Sequence, residues 1–241
     1  MNLEPNFQID IIGITMSILA WCLIGYFVYR IRKKQSERIP VWKIVIVVLV
    51  GLLSFSFNLD VFDTPIRLSI LPLGVWIMYL FKGNIERWQK YRLFAWLGFW
   101  ANFLFLLFAF VAIPIHHGFY PKNEPATYIG NIEKASIINI HPSGEELALS
   151  KENLLNQLTQ LKQDTVYSEE WYEDTYMNKE SNEGKERFPY QLMGISAKWG
   201  SGLHPIIYIE EDGKGILITT SREQLYFRSE VSMLLRKGEL K

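Results

Sequence analysis

Two stretches without a charged side chain, residues 11–29 and 93–115, constrain this chain more than any other feature. A helix rises about 1.5 Å per residue and a bilayer's hydrocarbon core is about 30 Å thick, so about 20 apolar residues cross it. Both stretches reach that length. Asp10 and Arg30 bound the first, and Arg92 and His116 bound the second. Between them lie two shorter apolar runs, at residues 44–57 and 68–81, with Lys43 and Arg67 placed to snorkel from their ends. The expectation is a membrane all-α four-helix bundle over residues 1–115, with spans at 11–29, 42–58, 66–82 and 93–115. No Lys or Arg precedes the first run and no small-x-small pattern follows it, so it is expected to persist as an uncleaved span.

The remainder of the 241 residues is a different kind of polymer. Residues 1–115 carry 11 Lys/Arg and 6 Asp/Glu, whereas residues 116–241 carry 14 and 19, so a net charge of zero hides two opposed halves. This division excludes a wholly soluble protein, a nucleic-acid binder of extreme pI and a disordered tail protein. The single cysteine, Cys22, excludes a disulfide scaffold and leaves the second half without a thiol nucleophile.

Lys and Arg resist translocation, so the basic connections set orientation. Arg30, Arg32, Lys33, Lys34, Arg38 and Lys43 fill one connection, and Lys82, Arg87, Lys90 and Arg92 fill another. The amino-terminal tail has no such residue, and the 58–67 loop has only Arg67 beside Asp60 and Asp63. The expected topology is N-terminus out, both basic loops cytoplasmic and the C-terminal domain extracytoplasmic. A re-entrant middle pair would leave that placement unchanged. Tyr26, Tyr29, Trp42, Tyr79, Trp88 and Tyr91 gather near the basic ends, at the depth aromatic belts favour. Ile85, Trp88 and Tyr91 recur every three residues, which suggests an interfacial helical turn over 82–92.

Residues 116–131 hold turn formers and read as a linker; residues 132–241 read as a small α+β domain with an antiparallel sheet. Strands are expected at 135–140, 146–149, 191–199 and 225–228. Residues 205–210 and 216–220 form the clearest hairpin, because Asp212-Gly213 supplies the positive φ of a tight turn. Ser150 is an N-cap for a helix with Leu154, Leu155, Leu158 and Leu161 on one face, expected to end near Asp164. Ser229 is expected to cap a final helix with Val231, Leu234 and Leu235 facing inward, and 166–189 reads as a long polar loop.

The candidate partner-binding residues are Tyr167, Glu169, Glu170, Trp171, Tyr172, Glu173, Asp174 and Tyr176, where aromatics interleave with carboxylates. Such a stretch fits a solvated face with its rings packed inward, or the grip on a basic peptide. Paired carboxylates also serve glycoside hydrolysis, which makes Glu169, Glu170 and Glu173 the residues an envelope hydrolase would use. Asn102 is the notable polar group inside a span, expected to hydrogen-bond another helix, and Pro72 is expected to kink the third span. His116 and His117 with Asp60 and Asp63 are weighed as a zinc site, but helix capping by an interfacial His explains the pair. Gly200-Ser201-Gly202-Leu203-His204 reads as a glycine turn, not a nucleophile elbow. No Walker loop, dinucleotide fingerprint, cysteine-pair metal motif or nucleic-acid module occurs, so no catalytic residue, cofactor or metal is expected. The function read from these features is a non-enzymatic multi-pass cell-membrane protein displaying an extracytoplasmic sensor or interaction domain. Its partners are then the lipid bilayer and a membrane or envelope protein. The alternative is a small transporter or an accessory subunit of one, with Asn102 and Pro72 lining the path.

Overall fold

The computed structural model describes residues 9–35, 39–61, 64–81, 83–165, 186–221 and 223–236. The chain forms two compact units, Ile11–His116 and the combination of Met1–Asp10 with His117–Lys241. The acidic and aromatic stretch from Tyr167 to Tyr176, all eight candidate partner-binding residues included, lies outside the described residues.

The helical unit opens with α1 (Ile11–Lys34) and closes with α4 (Ile85–Phe119). Both are long and apolar enough to cross a membrane. The two middle spans expected at 42–58 and 66–82 are corrected by the structure. Helix α2 (Val41–Gly51) stops after 11 residues and α3 (Leu73–Leu80) has 8, or about 16 and 12 Å of rise, roughly half a crossing each. Between them, β1 (Phe55–Val61) and β2 (Thr64–Leu71) form an antiparallel hairpin with Phe57 opposite Leu68 and Leu59 opposite Ile66. The reason lies in the period. Phe55, Phe57, Leu59 and Val61 alternate with Ser56, Asn58 and Asp60, the repeat of a strand, which a window scored only for apolar content does not distinguish from a helix.

Pro72 kinks nothing. It caps the start of α3, where its missing N–H has no partner to lose. Residues 85–92 are the first turns of α4 itself rather than a separate interfacial turn, and Trp88 and Tyr91 pack against the unit's core. That core joins Ile24 of α1, Ile44, Val47 and Val48 of α2, Val75 of α3, and Phe94, Ala95 and Phe99 of α4. Gly51, Gly74 and Gly98 let the backbones of α2, α3 and α4 touch. A Cβ on Gly74 would strike the Val50 carbonyl, and one on Gly98 the Val48 carbonyl.

In the second unit the expected linker is structured. The helical turn α5 (Pro125–Tyr128) buries Thr127, Tyr128 and Ile129. A six-stranded antiparallel sheet follows, built from β3 (Ser136–Asn139), β5 (Lys162–Asp164), β6 (Tyr190–Met193), β7 (Ile206–Ile209), β8 (Gly215–Thr219) and β9 (Gln224–Arg228). Its order is β3-β6-β7-β8-β9-β5. The hairpin expected around Asp212 is β7–β8, with Gly213 at φ 70°. Strand β6 is shorter than expected, because the chain turns at Gly194 with φ 70°. Register places Tyr190, Ile209, Ile216 and Phe227 side by side in one row, and Leu192, Ile207 and Ile218 in the next. These seven side chains are buried and form one core with Leu154, Leu158 and Leu161.

Helix α6 (Lys151–Leu158) is capped as expected, the Asn153 N–H donating to Ser150 Oγ at 3.2 Å. It ends six residues before Asp164. Lys162–Asp164 instead adds an exposed edge strand to β9, once Leu161 has turned into the core. Strand β4 (Leu147–Leu149) does not return along β3, whose partner is β6. It pairs with β10 (Leu234–Arg236) in a separate ribbon. The expected final helix is therefore replaced by β10: Ser229 Oγ donates to the Val231 carbonyl at 2.7 Å, closing a turn instead of capping a helix.

Candidate functional site

A strand turns alternate side chains to opposite faces, so the sheet has a second face built from the residues between the core rows. Register aligns Ile138, Gln191, Tyr208, Leu217, Tyr226 and Asp164 across it. Tyr226 is buried there, and Gln191, Tyr208 and Leu217 are partly buried. Ile138, Met193 and Ile206 are 44%, 39% and 45% exposed, so apolar side chains meet solvent on a folded sheet.

One end of this face carries a charged network. Glu210, the residue after β7, is 8% exposed, and its carboxylate meets three groups. Arg187 Nε donates to Oε1 at 2.7 Å, Tyr226 Oη donates to Oε2 at 2.6 Å, and Arg228 forms an ion pair with Oε2. Arg228 also reaches Asp212 Oδ2 at 2.5 Å. The Arg187 guanidinium stacks on Phe188 and Tyr226 at 5.5 and 5.3 Å. Two cations face two carboxylates, so the cluster balances its charge internally. Its chemistry is that of a rigid edge to the open face; every group in it is held by another.

The phenols bear on pH. Burial, then the Glu210 hydrogen bond, push Tyr226 above the usual phenol range, although Arg228 opposes this. Burial, then the Glu223 charge, push Tyr128 up to about 12, and burial raises Tyr190. An unfolded phenol ionises near 10, so above that pH the unfolded chain releases protons that the folded one retains. The stabilisation is complete below pH 10 and declines as pH rises toward about 12. We expect the melting temperature of the sheet unit to fall across that interval, together with a late rise in phenolate absorbance. A flat melting temperature would refute buried neutral phenols.

The remaining sequence candidates are placed as follows. Asn102 Nδ2 donates to Leu52 O at 3.2 Å and Phe99 O at 3.1 Å. The first of these carbonyls lies just past the end of α2, and the two bonds use both donors of the amide. Ser201 is buried in a turn between Gly200 and Gly202, both of positive φ; its hydroxyl accepts from the Leu203 N–H at 3.3 Å, and His204 is exposed. A β-bridge also ties Ser201 to Asp10. His116 and His117 fall in the last turns of α4, and no group of three or more metal-ligating side chains occurs among the described residues. Sequence reasoning missed the network around Glu210. Its one local signal was a carboxylate directly after the apolar run 206–209.

The chain matches no protein-family model, no curated protein and no solved structure.

Proposed function

We propose that this chain is a non-enzymatic multi-pass cell-membrane protein that displays its sheet unit outside the cytoplasm, where the unit binds a protein partner or envelope component. The observation that carries this reading is the placement of cations relative to the two long helices. α1 begins, and α4 ends, at the sheet unit. Arg32, Lys33 and Lys34 occupy the last turn of α1, and Arg87, Lys90 and Arg92 the first turns of α4, at the opposite ends of both helices. Gln35 Nε2 donates to Lys90 O at 2.8 Å, so the two basic connections meet. Cations gathered at one end of two apolar helices are retained on the cytoplasmic side, which leaves the sheet unit outside. In this reading α2, the hairpin and α3 enter from the cytoplasmic side and return to it. The half-apolar open face of the sheet supplies the binding surface.

Topology is tested by labelling intact cells with a membrane-impermeant maleimide after Cys22→Ser. Cysteine at Asn156, exposed on α6, should react in intact cells, and cysteine at Gln89, exposed in the first turns of α4, only after lysis. The reverse pattern would place the sheet unit in the cytoplasm and end the proposal. Binding is tested by deleting residues 118–241: a truncated chain that still recovers the same partners would remove the sheet unit from the function.

A further inference from the structure

The basic end of the helical unit contains a cavity of about 240 Å³ between α2, α3 and α4. Ile46, Met78 and Trp88 supply apolar wall, Trp42 supplies an indole, and Lys43 and Arg87 supply two cations. Among the described residues no carboxylate lines it. Lys43 Nζ lies 5.4 Å from the Trp42 ring centroid, and Tyr79 packs edge-on against Trp88 at 5.4 Å, which fixes the aromatic walls.

The two cations sit where helix electrostatics disfavours them. Lys43 is the third residue of α2 and Arg87 the third of α4, and the amino-terminal end of a helix carries partial positive charge. Helix α2 has no acidic residue in its first turn and no side-chain cap; Glu86 in the first turn of α4 does not line the cavity. Two cations and two positive helix ends around one apolar hollow form a local excess that an anion would neutralise. The walls exclude a fully hydrated ion as the natural occupant, because most of the lining is hydrocarbon. The cavity is also smaller than a site that encloses a whole ligand, which takes roughly 300–1,000 Å³. It suits part of an amphiphile whose remainder stays outside, and Val45, Leu49 and Ile77 present half-exposed apolar surface on the same two short helices.

We infer that this cavity binds an anionic phospholipid, its phosphate held by Lys43 and Arg87 and the start of one acyl chain lying against Ile46, Met78 and Trp88. The inference rests on the helical unit lying in a bilayer, as proposed above. The bound lipid would tie α2 and α3, which only half cross, to the cytoplasmic leaflet.

The test uses the full chain reconstituted in vesicles of equal parts phosphatidylglycerol and phosphatidylcholine, with retained lipid counted by native mass spectrometry. The wild-type chain should retain phosphatidylglycerol preferentially. Lys43→Gln or Arg87→Gln should each reduce that preference about fivefold, and both together roughly 25-fold. Arg92→Gln removes a neighbouring cation that does not line the cavity and should leave the preference intact. Equal losses from Arg92→Gln, or none from the double variant, would reduce the effect to general surface charge and overturn the site. Displacement of the retained lipid by glycerol phosphate as readily as by phosphatidylglycerol would also overturn it, because a soluble phosphate would then be the ligand. A chain that fails to float with the vesicles would overturn the membrane reading itself, and this inference with it.

Discussion

Replacing Gly98 by leucine should unfold the helical unit, and replacing Gly25 by alanine should stabilise it. Both glycines lie inside long apolar helices, and their surroundings are opposite. A Cβ on Gly25 would meet nothing within 4 Å, so alanine adds no clash and removes backbone freedom from the unfolded chain; the gain is about 0.5–1 kcal/mol. A Cβ on Gly98 would overlap the Val48 carbonyl and press on the backbone of Gly51 at 2.8 Å. Those neighbours are main chain of α2, so neither can rotate aside. Gly51 and Gly74 are confined in the same way by Ala95 and Val50, and the three positions form one contact where α2, α3 and α4 meet. Small residues are what permit such approach in a membrane, where packing rather than the exclusion of water brings helices together. Alanine at Gly98 should cost about 1–3 kcal/mol, and leucine should abolish the folded unit. Thermal unfolding in detergent, followed by fluorescence-detected size exclusion, measures both. A leucine variant that melts with the wild type would show that the helices do not touch at Gly98.

The two long apolar helices were legible because they state themselves locally: 24 and 35 residues of helix need no distant partner to be recognised. The β1–β2 hairpin was equally local and was misread. Its alternating phenylalanines and small polar residues carry the strand period, but the same residues keep a sliding average apolar, and the average matched the length of a span. The β7–β8 hairpin was legible because Asp212-Gly213 sets a turn that admits few alternatives. Strands β4 and β10 are three residues each, too short to show any period, and their pairing joins segments distant in the chain. The ribbon was therefore invisible, and Leu234 and Leu235 read as a helix face. The Glu210 network escaped for a related reason. Arg187, Glu210 and Arg228 come from three separate segments, and only the register of β6, β7, β8 and β9 brings them together. The cavity at Lys43 and Arg87 likewise depends on three helices meeting, so the sequence shows its cations only as part of the general excess of positive charge.

The charged network makes the second strong prediction: Glu210→Gln should destabilise the sheet unit by about 3 kcal/mol, because it leaves two guanidinium groups facing one partly exposed carboxylate. Glutamine keeps the shape but has one accepting oxygen in place of two, so the loss reports charge and hydrogen bonding and not packing. Arg187 is the more confined partner, with its side chain 23% exposed against 38% for Arg228. Arg228 retains Asp212 and access to water, which keeps the expected loss at the low end of what breaking a buried pair costs. Such a loss corresponds to a fall in melting temperature of roughly 10 °C for a domain of this size. The Tyr226 phenol would also lose its acceptor at 2.6 Å, and the Arg187 stack that covers it would loosen. A double-mutant cycle separates the ion pair from these secondary effects. If Glu210 and Arg187 act as one unit, Glu210→Gln and Arg187→Gln together should cost less than the sum of the two, by about 1–3 kcal/mol. Strict additivity would mean that the Glu210–Arg187 pair carries no net coupling, and that Glu210 acts through Tyr226 and Arg228 instead.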